Sequence, residues 1–118
     1  MKEQNRETRG HVFLPWEAVV AVPGLNEQDG KGYRAIAYLH YYIGDADWYV
    51  TELDPKTGEA FGWAEILPGC GELGYFNLHE LEAVLVNECL PVERDYYWEP
   101  RSIREALADR AGERGELT

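Results

Sequence analysis

The stretch Trp48-Tyr49-Val50-Thr51-Glu52-Leu53-Asp54-Pro55-Lys56-Thr57-Gly58-Glu59-Ala60-Phe61-Gly62-Trp63-Ala64-Glu65-Ile66-Leu67 decides how this chain folds. Trp48–Leu53 is rich in aromatic and β-branched residues and reads as a strand. Asp54-Pro55-Lys56-Thr57-Gly58 puts Pro and Gly where a hairpin loop needs them, and Ala60–Leu67 reads as the returning strand. Upstream, Tyr33–Ile43 has the same composition and ends at the turn signal Gly44-Asp45. Downstream, Pro68-Gly69-Cys70-Gly71 turns the chain again into a short strand, Glu72–Phe76. Strands joined in sequence by short turns form an antiparallel meander.

Helical signals lie outside this block. Asn77 is placed to cap a helix, with Glu80 three residues on as in a capping box; Leu78, Leu81 and Leu85 share one face with Val84 beside them, and the pattern ends near Asn87. Pro91–Asp95 reads as an extended piece at a sheet edge. Ser102 is placed to cap a last helix whose apolar stripe is Ile103, Ala106 and Leu107. Near the start, Pro15 and Trp16–Val22 read as a short helix or extended segment, broken by Pro23-Gly24 and followed by a polar loop, Asn26–Gly32. The expected fold is α+β: a twisted antiparallel sheet of four or five strands with two or three helices packed on one face. One domain is expected over residues 11–110, between flexible ends at 1–10 and 111–118.

Charge is the clearest global property. The 118 residues carry a net charge of −11, and residues 11–100 hold sixteen acids and four bases, a net of −12. Such a centre is repelled by phosphate backbones and anionic membranes. Basic proteins, metal ions or cationic ligands are therefore the natural partners, with no direct contact to nucleic acid or membrane expected. Met1–Gly10 is polar and no apolar run is long enough to span a bilayer, so the expected location is the cytoplasm, where Cys70 and Cys89 stay reduced. His11, His40 and His79 form no ligand pair at helical spacing, and no phosphate loop, nucleophile elbow or dinucleotide fingerprint is present. No cofactor and no metal site are expected. Cys70, between Gly69 and Gly71, has no base nearby in sequence to activate it.

The candidate site residues are carboxylates, one arginine and aromatics. Strand alternation puts Trp48, Val50 and Glu52 on one face; if that face is buried, Glu52 is either a functional acid or a structural acceptor. Glu72 shares a face with Gly74 and Phe76, and a Gly inside a strand marks a bulge or a close backbone approach. Glu93-Arg94-Asp95 sets three charges between Val92 and Tyr96, where Arg94 has the geometry to hold Glu52 or Glu72 in a bidentate pair. If catalysis occurs, Glu52, Glu72, Arg94 and Asp95 are the expected catalytic set. If the protein is a binding module, Trp48, Tyr49, Glu52, Asp54, Glu72, Glu93, Arg94 and Asp95 are the expected contacts. The aromatics from Tyr33 to Trp63 leave two readings: an exposed row suited to protein binding, or a face covered by loops and by Tyr96-Tyr97-Trp98.

Residues Tyr38 to Pro100 resemble an uncharacterised bacterial family of small acidic proteins, a domain of unknown function associated with plasmids, phages and other mobile elements. The resemblance rests on Asp47-Trp48-Tyr49-Val50-Thr51-Glu52, Phe61-Gly62, Glu72-Leu73-Gly74-Tyr75-Phe76 with Leu78 and Glu80-Leu81-Glu82, and Val92-Glu93-Arg94-Asp95. It implies a shared fold and setting and no mechanism. That setting favours a non-enzymatic acidic module that inhibits a basic nucleic-acid-handling host protein, an anti-defence role in which carboxylates imitate the charge of DNA. The alternative is a small enzyme or ligand-binding domain with a Glu/Arg cleft, with or without a metal.

Overall fold

A computed structural model describes residues 3–113. In chain order these form α1 (Arg6–Arg9), α2 (Trp16–Val19), a 3-10 turn at Gly32–Arg34, β1 (Ile36–Ala37), β2 (Leu39–Ile43), β3 (Ala46–Leu53), β4 (Glu59–Glu65), β5 (Glu72–Asn77), α3 (Leu78–Ala83), β6 (Leu85–Val86), β7 (Leu90–Pro91), β8 (Glu93–Arg94), β9 (Arg101–Ser102) and α4 (Ile103–Glu113). The main sheet has the order β5-β4-β3-β2-β8, all antiparallel, and two two-stranded ladders, β1-β9 and β6-β7, flank it. This is the α+β meander expected from the sequence, with β8 supplying the fifth strand at one edge.

Local chemistry sets the connections. The Asp54–Gly58 loop closes by Gly58 N–H donating to Asp54 O at 2.8 Å, while the Asp54 carboxylate accepts from Lys56 N–H at 3.0 Å. Gly58 adopts the left-handed φ of 81° that this loop requires. The Asn77 side chain caps α3 by accepting from His79 N–H and Glu80 N–H. At α4, Ser102 Oγ accepts from Glu105 N–H, and the Glu105 carboxylate accepts in return from Ser102 N–H and Oγ–H; this is a full capping box.

Both faces of the sheet are covered, not one. Trp48, Val50, Leu53 and Ala60 pack with Phe13, Val19, Leu78, Leu81 and Val92, so the N-terminal segments and α3 lie on that side. Tyr49 and Trp63 pack with Ile103 and Ala106 of α4 on the other. The physical reason is β3 itself: all eight of its residues are buried, and a strand apolar on both faces needs a cover on each.

Four other expectations are corrected. Tyr33–Ile43 is not one strand, because the 3-10 turn takes its start and the chain passes from the β1 ladder to the β2 ladder at Tyr38. The helix after Asn77 stops at Ala83 rather than near Asn87, and Asn87 and Glu88 instead take left-handed conformations in the β6–β7 hairpin. Residues 3–10 are tied down rather than loose. The Arg9 guanidinium is buried, donates to Val92 O, Glu82 O and Gln4 O, and pairs with Glu3 at 3.3 Å. At the other end α4 continues through Glu113, and residues 114–118 lie outside the described residues.

The fourth correction concerns parity in β3. Val50 pairs with Gly62 and Glu52 with Phe61, so Thr51 and Glu52 together oppose one residue in a β-bulge. Leu53, not Glu52, therefore joins Trp48 and Val50 in the apolar cluster. The close backbone approach lies at this bulge as well. A Cβ on Gly62 would sit 1.8 Å from the Tyr49 carbonyl oxygen, whereas one on Gly74 would meet nothing within 4 Å.

Gly62→Ala is expected to destabilise the fold by about 2–4 kcal/mol, since the bulge must shift to admit a methyl group. Gly74→Ala, one strand over in the same row, is expected to be neutral or to stabilise by up to about 1 kcal/mol. Urea denaturation of both variants checks the pair, and equal effects at the two positions would contradict the bulge geometry.

Candidate functional site

The densest set of ionisable side chains lies under α4, on the sheet face that carries Tyr49 and Trp63. β2 and β3 place His40 and Asp47 there, β4 places Glu65, the segment after β8 places Asp95, and α4 reaches in with Arg110. His40 Nδ1 lies 2.8 Å from Asp95 Oδ2, and His40 Nε2 lies 2.8 Å from Asp47 Oδ1. The second oxygen of Asp47 accepts from Arg110 Nε at 2.9 Å. Arg110 Nη2 lies 2.5 Å from Glu65 Oε1, and Glu65 Oε2 accepts from Gly69 N–H at 2.5 Å. Asp47 and Glu65 are direct cross-strand neighbours. Like charges so placed repel, and Arg110 offsets the repulsion by bridging both.

Aromatic rings enclose the cluster. Tyr49 stacks on His40 with centroids 4.4 Å apart, and Trp98 packs against both. Trp98 is anchored by its Nε1–H donating to Ala37 O at 3.0 Å and is covered by Arg101, whose guanidinium lies 3.9 Å from the ring centre and pairs with Asp109. The cavity between these groups is small, about 110 Å³.

The electrostatics follow from this packing. Burial disfavours a charged His40, but hydrogen bonds and attraction from Asp47 and Asp95 outweigh it and raise its pKa above the ordinary 6.5. Burial also disfavours the Asp47 carboxylate, but His40 and Arg110 prevail and hold it below 3.8. The hydrogen bond from His40 is the main cause that lowers Asp95. In its protonated form His40 donates from each ring nitrogen to a carboxylate. Both ring nitrogens are engaged by Asp47 and Asp95, so the imidazole ties β2, β3 and the segment after β8 together.

The residues singled out from sequence do not converge. Glu52 is buried and its carboxylate accepts from Asn26 N–H at 2.8 Å and Gln28 N–H at 2.7 Å, so it shapes the loop before β1. Glu72 is exposed on β5 at one edge of the sheet, and Arg94 lies on β8 at the other, followed by Asp95. Four strand spacings separate those edges, about 19 Å. Arg94 donates to Val12 O and stands 5.1 Å from the Tyr96 ring centre, with no carboxylate in a bidentate pair. Glu93 meets His11 at 2.6 Å, and Asp54 organises its own turn. Trp48 and Tyr49 are core residues, 5% and 2% exposed, because β3 is covered on both faces. Of the two readings of the aromatics, the covered face holds for Tyr49 and Trp63. Cys70 and Cys89 are free and exposed. Among the described residues no group of three His, Cys, Asp or Glu is arranged to hold a metal ion, and no helix is long and apolar enough to cross a membrane.

Neither His40 nor Arg110 is singled out by motif. A signal for His40 does exist: a hairpin turning at Gly44-Asp45 pairs His40 with Tyr49 and sets Asp47 diagonally beside it on the same face. Arg110 comes from a remote helix and has no comparable local signal.

Fold and site together define a small α+β domain with a buried ionic cluster between the sheet and α4. The chain belongs to the family described as "Protein of unknown function (DUF2958)", which matches residues 20–118. A search of curated proteins and one of solved structures found no match.

The pH dependence of stability tests the cluster. His40 binds its proton more tightly in the folded state, so its contribution is full below pH 6.5 and is lost as pH rises through the raised folded value. Asp47 and Asp95 bind theirs less tightly, so their contribution is present above pH 3.8 and is lost as pH falls through their lowered values. His40→Gln is therefore expected to cost about 1.5–3 kcal/mol near pH 6, with the difference from the parent shrinking toward pH 9. Urea denaturation across that range reads it, and a constant difference would refute the charged pairing. Glu52→Gln turns one of its two acceptor oxygens into a donor that faces a backbone N–H and is expected to destabilise by about 1.5–3 kcal/mol at neutral pH.

Proposed function

We propose that this domain is a non-enzymatic binding module whose acidic surface engages a basic, nucleic-acid-handling protein and occupies the groove that protein uses for nucleic acid. The observation that carries this reading is where the charge sits. Among the described acidic residues only Asp47, Glu52 and Glu65 are buried, and each is committed to an internal partner. Glu17, Glu27, Asp29, Glu59, Glu72 and Glu80 are among those left on the surface. The net charge of −11 is therefore an external field, one that speeds encounter with a cationic surface and repels nucleic acid. The saturated His40 cluster and the separation of Glu72 from Arg94 weigh against the Glu/Arg cleft. The anti-defence setting in a mobile element belongs to the same proposal and gives such an inhibitor its use.

The test is affinity capture from bacterial lysate with bound proteins identified by mass spectrometry. A basic nucleic-acid-binding protein is expected, displaced by duplex DNA and released as salt rises from about 0.1 M to 1 M, over which the screening length falls from about 10 Å to 3 Å. A captured protein that survives 1 M salt and ignores DNA would overturn charge-based engagement.

A further inference from the structure

β5 is the exposed edge of the main sheet. It pairs only with β4 among the described residues, over Glu72 to Asn77, leaving the outward N–H and C=O groups of its other side without a strand. A long free edge is a template for another strand. Beside it runs a groove of about 400 Å³, floored by Trp48 and Ala64, walled by Ile66, Leu67 and Phe76, and bordered by Glu72. Gly74 lines the groove without a side chain of its own, and a Cβ there would meet nothing within 4 Å.

The elements that form this edge, β4, β5 and α3, carry acidic residues and no Lys or Arg. Between Lys56 and Arg94 the chain has no Lys or Arg, while Glu59, Glu72, Glu80 and Glu82 belong to β4, β5 and α3. A second copy would bring the same carboxylates and another −11 against it. The complementary occupant is a cationic strand.

We propose that β5 is a strand-addition site: an extended segment of a basic partner protein pairs with Glu72–Asn77, lays an apolar side chain over Gly74 into the groove, and sets a Lys or Arg two residues away beside Glu72. The spacing follows from the sheet. Cross-strand pairing puts Glu72, Gly74 and Phe76 on the face of Trp48 and Ala64, with Tyr75 also bordering the groove, so the partner residues opposite them alternate with residues opposite Leu73 and Tyr75. Main-chain bonds supply affinity and the two groove-side positions supply selectivity. This rests on the binding-module reading and specifies how the partner docks.

The test uses the full chain and a symmetric peptide, Thr-Lys-Thr-Ile-Thr-Lys-Thr, which satisfies the pattern in either strand direction. Titration calorimetry is expected to give saturable binding tighter than about 1 mM. Gly74→Val fills the opening and is expected to weaken binding at least about 10-fold while thermal unfolding stays at or above that of the parent. Glu72→Lys is expected to weaken it similarly and to be rescued by the peptide with Glu in place of Lys. Of two peptides N-methylated on alternate amides, one is expected to bind and the other not. Absence of peptide binding, or binding that Gly74→Val leaves unchanged, overturns the proposal. So does a dimer of the parent chain in sedimentation that Gly74→Val abolishes, which would make a second copy the occupant. A basic protein captured equally by parent and Gly74→Val would refute the edge and leave the acidic module standing. Peptide binding with no DNA-displaceable partner would do the reverse.

Discussion

β3 is buried from Ala46 to Leu53, yet Asp47, Thr51 and Glu52 within it are polar. Buried polar groups must find partners or the fold loses several kcal/mol. Each of these three draws in a segment from elsewhere. Asp47 takes His40 from β2 and Arg110 from α4. The Thr51 hydroxyl donates to Phe61 O on β4, and its carbonyl accepts from the Gln28 side chain. Glu52 takes the backbone of Asn26 and Gln28. The helix on one face and the loop before β1 are thus held by hydrogen bonds radiating from a single strand, in addition to apolar contact.

The same logic divides the charges of the protein into two populations. Those inside lie against opposite charge or backbone donors: Arg110 between Asp47 and Glu65, His40 between Asp47 and Asp95, Arg9 beside Glu3, and Glu52 on the Asn26 and Gln28 N–H groups. Removing a member strands a charge, which is why such clusters are costly to break even where they add little net stability. Those outside are mostly negative, and they give the domain its long-range field.

The two edges of the sheet differ in kind. β8 is two residues long, carries Arg94, and is backed by the N-terminal segment through the bond from Arg94 to Val12 O. β5 is six residues long, has Gly74 at its centre, and lies beside an apolar groove. Natural sheets blunt their edges with short strands or charges. β8 follows that rule, and β5 follows it only through Glu72 at its start.

What the sequence determined by itself is the local part. The order of β3, β4 and β5, the Asp54–Gly58 hairpin, the Asn77 and Ser102 caps and the extended Pro91–Asp95 edge all depend on residues within a few positions of one another, where propensity and turn chemistry act. The surplus of negative charge was equally legible, because it is a sum over composition. Tertiary structure alone decided the rest. The bulge at Thr51-Glu52 reversed strand parity and moved Glu52 from the apolar face to the loop that it now anchors. The return of α4 to the second face buried Tyr49 and completed the ionic cluster with Arg110, sixty-three residues from Asp47. A bulge is a choice between nearly equal registers, and a long-range ion pair exists only once remote segments have met. Neither is encoded by any short run of residues, since each depends on what the rest of the chain has already buried.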